Sequence, residues 1–145
     1  MITALVIAAA LAGSPADPVV VRLEHLTNCG NWKVAIRASG AAQGELFNAC
    51  HPGGPKKVKV RKSVSEQLAS LRLLVQRERF LELDERPHED QPIIDDAACV
   101  IDVVFAEVSH SVTISGSQLV STDPALESFR RIWRAVQAML PEPAW

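Results

Sequence analysis

Apolar and polar residues alternate along several short stretches of this chain, and that period of two restricts most of it to half-buried antiparallel strands. From Pro18 to Leu26, Val19, Val21 and Leu23 fall on one face, Arg22 and Glu24 on the other. Trp32 to Ala38 repeats the pattern, with Val34 and Ile36 inward and Lys33 and Arg37 outward. Ser39-Gly40 then supplies a turn, because glycine reaches positive φ without strain. The chain returns through Glu45, Leu46 and Phe47 to Cys50, and a two-residue turn sets Cys29 opposite Cys50. After the loop His51-Pro52-Gly53-Gly54-Pro55, Lys56 to Lys62 places Val58 and Val60 on one side of a short strand and cations on the other. Later, Cys99, Ile101, Val103 and Phe105 share one face of a strand whose other face holds Val100, Asp102 and Val104, with Val112-Thr113-Ile114 as its partner. The mostly apolar second face marks the Cys99 strand as central.

Two segments carry the helical period instead. Ser63 and Glu66 have capping-box spacing, and Leu68, Leu71, Leu74 and Val75 then form one apolar stripe. Phe80, Leu81 and Leu83 form a short docking segment, and the proline-containing acidic stretch to Pro92 reads as an exposed loop. Asp123-Pro124 opens the second helix, with Asp as cap and Pro at the first helical position. Leu126, Phe129, Ile132, Trp133, Val136 and Leu140 are its buried stripe. The expectation is an α+β domain: an antiparallel sheet of about five or six strands with two amphipathic helices packed on one face.

Composition bounds the function. A formal net charge of −2 over 145 residues excludes a dedicated nucleic-acid binder, which carries a strongly basic domain. With 48% hydrophobic and 22% charged residues, the chain has the means to bury a core. Ile2 to Ala12 is apolar apart from Thr3, which is too short to span a bilayer that needs about 20 helical residues, so no transmembrane segment is expected. The small residues that follow fit a signal peptide over residues 1–16, cleaved after Ala16 or, alternatively, after Ala12, although no Lys or Arg precedes the apolar run. The mature chain is then a single domain, residues 17–145, in the periplasm or secreted.

An oxidising compartment favours one disulfide among Cys29, Cys50 and Cys99. The hairpin favours Cys29–Cys50; the competing bridges are Cys50–Cys99 and Cys29–Cys99. Cys99 would then be a buried, slow-reacting thiol. No motif places a base beside any of the three, so no catalytic cysteine is expected. His88-Glu89-Asp90 with Asp95-Asp96 matches no calcium loop and reads as solvated charge, and His25, His51, His88 and His110 lack zinc-ligand spacing. No metal or cofactor is expected. A Gly-x-Ser-x-Gly elbow, a His-Glu-x-x-His helix, a phosphate loop and a dinucleotide fingerprint are all missing.

Lys57, Lys59 and Arg61 project from one face as a positive stripe that suits an anionic surface. The other reading is that these cations guard a sheet edge against aggregation. Arg22 in the first strand, Cys29 and Gly30 before the second, then hairpin, helix and Phe80-Leu81-Glu82-Leu83, resemble a family of small exported bacterial domains of unknown function. The resemblance spans Val19 to about Ile114 and implies no activity. Cys29-Gly30-Asn31-Trp32 departs from the family's pattern, lacking its second cysteine and its proline.

These readings converge on an exported accessory or binding module without catalytic machinery, whose partner is an envelope protein or an anionic surface component. The alternative is a small hydrolase using carboxylates between Glu89 and Asp102, which a concave pocket holding Asp95, Asp96 or Asp102 would favour. A structural envelope protein with an exposed apolar patch is the third reading.

Overall fold

The computed structural model describes residues 16–87 and 97–145. Residues 1–15, where the signal peptide is expected, and the acidic stretch 88–96, with His88, Glu89, Asp90, Asp95 and Asp96, lie outside the described residues. The strands are β1 (Val19–Thr27), β2 (Gly30–Arg37), β3 (Ala41–Asn48), β4 (Lys56–Ser63), β5 (Ala98–Phe105) and β6 (Val108–Ser115). The helices are α1 (Ser65–Arg77), the short α2 (Gly116–Leu119) and α3 (Glu127–Met139). Single 3-10 turns occupy Phe80–Glu82 and Pro124–Leu126.

All six strands form one antiparallel sheet in the order β4-β3-β2-β1-β5-β6. This is the expected α+β architecture. The alternation decides which side is buried. Val21 and Leu23, Trp32, Val34 and Ile36, Ala42 and Leu46, Cys99, Ile101 and Val103, and Val112 and Ile114 all face the helices. Leu68, Leu71 and Val75 of α1 and Phe129, Ile132, Trp133 and Val136 of α3 close over them. Arg131 of α3 donates to Glu78 at the end of α1, at 3.0 Å. The opposite face of the sheet carries no helix among the described residues.

Several local expectations need correction. The β2–β3 loop has three residues, Ala38 to Gly40, with Ile36 paired to Ala42 and Gly40 at φ +90°. The Gly40 N–H closes the turn onto Arg37 O at 2.8 Å. Cys29 therefore faces Ala49, whose N–H it accepts at 2.7 Å, and Cys50 sits one residue beyond. The Cys29–Cys50 disulfide still forms just past the ladder, with Cα atoms 5.2 Å apart.

The Ser63–Glu66 capping box does not form. Ser63 ends β4, and Val64, fully buried, takes the cap position while its N–H donates to Gly40 O at 2.8 Å. Core burial of Val64 thus fixes the strand-to-helix junction. A capping box occurs instead at Ser115 and Gln118, opening α2. The β5–β6 turn is made by Ala106 and Glu107 at φ 50° and 65°, so the pairing of two well-buried strands imposes left-handed backbone on residues that do not favour it. Asp123 and Pro124 act as expected, Asp123 accepting from the Ala125 N–H at 3.0 Å at the start of the turn that leads into α3.

Candidate functional site

A solvated polar face is ordinary for an antiparallel sheet. This one is also concave: a hollow of about 920 Å³ lies over β1, β2, β3 and the rim of β4, within the range of small-ligand sites. The sequence builds it by register. Across the sheet, Arg61, Gln43, Ala35, Arg22, Asp102 and Ser111 are successive neighbours on the open face. The short side chain of Ala35 lies midway, so the long side chains of Arg22 and Gln43 stand around a low centre.

The next row along the strands reads Lys59, Glu45, Lys33, Glu24. Here charge alternates and is consumed in pairs: Lys33 to Glu24 at 3.4 Å and Lys59 to Glu45 at 3.8 Å. The Arg61-to-Asp102 row behaves differently. Arg22 and Arg61 are exposed, and neither forms an ion pair among the described residues, although Asp102 is the cross-strand neighbour of Arg22. Arg37, at the end of the hollow, spends one N–H on Asp17 O at 3.0 Å. The hollow therefore presents guanidinium groups whose charge is not neutralised from within the fold, and guanidinium is the side chain best shaped for bidentate carboxylate or phosphate binding.

The stripe expected from Lys57, Lys59 and Arg61 is divided by the structure. All three project from the open face of β4, and β4 is indeed a sheet edge. Lys59 is paired with Glu45, and Lys57 lies 5.9 Å from the centroid of the Phe47 ring. Arg61 alone lines the hollow. Arg22, Ala35 and Gln43 escaped sequence reasoning as site residues. Alternation put Arg22 on the outer face, but only the strand order makes it central.

Asp102 is half-buried at the far wall of the hollow. The remaining candidates are structural. His25 contacts Glu142 at 3.0 Å and packs edge-on against Trp133 and Trp145. His110 Nε2 lies 2.7 Å from Leu83 O, and His51 accepts from the Gly53 N–H. No cluster of three or more metal-ligating side chains occurs among the described residues, and no described helix is long and apolar enough to cross a membrane. Cys99 is buried and outside the disulfide. No protein-family model matches the chain, and no curated protein matches it.

Proposed function

We propose that this chain is an exported binding module that holds an anionic group of its partner in the hollow on the uncovered face of the sheet. The observation that carries the reading is the pair Arg22 and Arg61, exposed on the hollow without an ion pair among the described residues. Lining carboxylates Glu24 and Glu45 are already matched to lysines, so the net local charge is positive in a chain of overall charge −2. A ligand with one or a few anionic groups fits that mixture better than a polyanion, which Glu24, Glu45 and Asp102 would repel. The Cys29–Cys50 bridge supports an oxidising compartment, periplasmic or extracellular. Cleavage after Ala16 would leave Asp17 first, and its carboxylate is anchored to Ser39 at 2.8 Å.

Amide chemical shifts of the oxidised chain 17–145, titrated with citrate and with inorganic phosphate, test the reading. Movement centred on Ala35 and Gln43 that disappears in Arg22→Gln supports it. Unmoved amides around the hollow, or movement that survives Arg22→Gln, overturns it.

One observation favours the hydrolase reading as a second: Asp102 lies in a concave site beside Arg22. Hydrolysis by paired carboxylates needs a second acid on the opposite side of the scissile bond, and the two other carboxylates of the hollow are held by lysines. Turnover of a chromogenic glycoside that is lost in Asp102→Asn would move the assignment to this class.

A further inference from the structure

The two edges of the sheet are treated differently. At the β6 edge, the preceding segment lies alongside: the Thr113 N–H donates to Glu85 O at 2.8 Å and His110 contacts Leu83 O. At the β4 edge, among the described residues, no main-chain group between Lys56 and Ser63 bonds outward. In an antiparallel pair alternate residues turn their N–H and C=O away from the neighbour, so this eight-residue strand presents a row of donors and acceptors to whatever lies beside it. Its two faces differ sharply. Lys57, Lys59 and Arg61 are exposed on the open face, while on the helix face Val58 and Val60 are half-buried between Lys56 and Lys62, whose ammonium groups donate to Ala144 O and Met139 O.

We infer that β4 is the docking edge for an extended acidic segment of another protein, which adds to the sheet as a seventh strand. Pairing in register places every second side chain of the incoming strand beside Lys57, Lys59 and Arg61, and a carboxylate suits each: the Lys59–Glu45 contact is long at 3.8 Å and exposed, so it leaves Lys59 open to a second carboxylate. The intervening side chains meet Val58 and Val60 and extend the core with apolar groups. The motif recognised is therefore an alternation of acidic and apolar residues about as long as β4, read by main-chain bonds for affinity and by alternate side chains for specificity.

A second copy of this chain is the wrong occupant. Joining β4 to β4 would set the Lys57, Lys59 and Arg61 rows against each other, and like charges directly opposite are destabilising. The same cations that repel a second copy attract an acidic strand, so edge protection and partner selection are one device. The inference rests on the binding-module reading only in assuming a partner; the edge shares Arg61 with the hollow but not Arg22.

The test uses the oxidised chain 17–145 and a fluorescein-labelled eight-residue peptide of alternating Glu and Val. Three further peptides complete the set: a composition-matched scramble, and two of the same sequence N-methylated on alternate backbone nitrogens, one along each edge. The expected result is saturable binding of the alternating peptide, at least tenfold weaker for the scramble and abolished by the N-methylation that faces β4. Lys57→Ser/Lys59→Ser/Arg61→Ser should weaken binding at least tenfold, with its fold checked by circular dichroism. Arg22→Gln should leave peptide binding unchanged, which separates the edge from the hollow.

Equal binding of both N-methylated peptides by the native chain overturns strand addition, whether or not the triple variant folds. Failure of the alternating peptide to bind also overturns it, as does binding of 30% phosphatidylglycerol vesicles through the same three cations without peptide binding, which assigns the edge to membrane. Citrate binding that needs Arg22, together with no peptide binding, would leave the hollow standing and remove the edge.

Discussion

The indole of Trp32 occupies the space that a side chain at Gly44 would need. A Cβ built on Gly44 would lie 2.1 Å from Trp32 Cη2 and 2.7 Å from Cζ2, with Leu140 Cδ2 at 3.0 Å. Trp32 is fully buried on β2 and Gly44 is on the neighbouring strand β3. Here glycine is required by close packing rather than by backbone conformation, and the ring bridges the sheet to the chain just after α3.

Gly44→Ala should therefore destabilise the fold by about 1–3 kcal/mol, the usual cost of overpacking a filled core. Urea unfolding measures it. In a Trp32→Phe background the penalty should shrink, because residues in contact couple. An unchanged penalty would show that another neighbour sets the limit.

Arg130 supports a second prediction. It is 7% exposed, yet it carries its charge into the α2–α3 connection. Its Nη2 donates to Asp123 O at 2.6 Å and to Glu127 Oε2 at 2.9 Å, and its Nη1 to Ser121 Oγ at 3.3 Å. The Arg130 hydrogen bond holds the Glu127 carboxyl below its ordinary value. Arg130→Ala removes the donor these acceptors share, while Glu127 keeps Arg134 at 3.0 Å and Arg131 at 3.3 Å, so the cost should be about 1–3 kcal/mol, that of lost part-buried hydrogen bonds. Arg130→Lys should recover only part of this, since an ammonium cannot serve the same fork of acceptors.

Acid sensitivity should appear at Asp17. Its carboxylate accepts from the Ser39 N–H and hydroxyl, both at 2.8 Å. The backbone hydrogen bond is the main reason its pKa falls below the ordinary 3.8. A depressed folded-state value means that the stabilisation is complete above the unfolded value and is lost as pH falls through the folded one. Unfolding free energies of the native chain and Asp17→Asn should thus differ at pH 6 and converge below pH 3.8. A constant offset across that range would remove Asp17 from the acid response.

What could be read from the sequence follows from which interactions are local. Alternation assigned Val21, Leu23, Val34, Ile36, Ile101 and Val103 to the buried face because strand period and burial coincide there. The three-plus-four spacing did the same for Leu71, Val75, Phe129 and Val136. Local signals failed where a tertiary contact outranked them. Burial of Val64 displaced the Ser63 cap, and strand pairing forced Ala106 and Glu107 into the turn. The hollow was not legible, because Arg61, Gln43, Ala35 and Arg22 are neighbours only through strand order, and nothing local to the β1 sequence says that β2 and β5 flank it.

The cysteines give the last prediction. Cys29 and Cys50 are bridged across the end of the β2–β3 hairpin with a sequence separation of 21. On chain-entropy grounds a loop of that size restricts the unfolded ensemble by about 3 kcal/mol, so Cys29→Ser/Cys50→Ser should unfold at correspondingly lower urea. Fold should survive, because the β2–β3 ladder, which pairs Gly30 with Asn48 through to Ile36 with Ala42, does not depend on the bridge. Cys99 is fully buried on β5, between its cross-strand neighbours His25 and Ile114, and a thiol reacts through its exposed thiolate. Maleimide should label no cysteine in the native oxidised chain, one after denaturation, and three after denaturation with reductant. Non-reducing peptide mapping should recover Cys29 linked to Cys50. Labelling of Cys99 in the native state would mean that β5 opens locally far more readily than its burial implies. A Cys99-containing link would mean that the hairpin register is wrong.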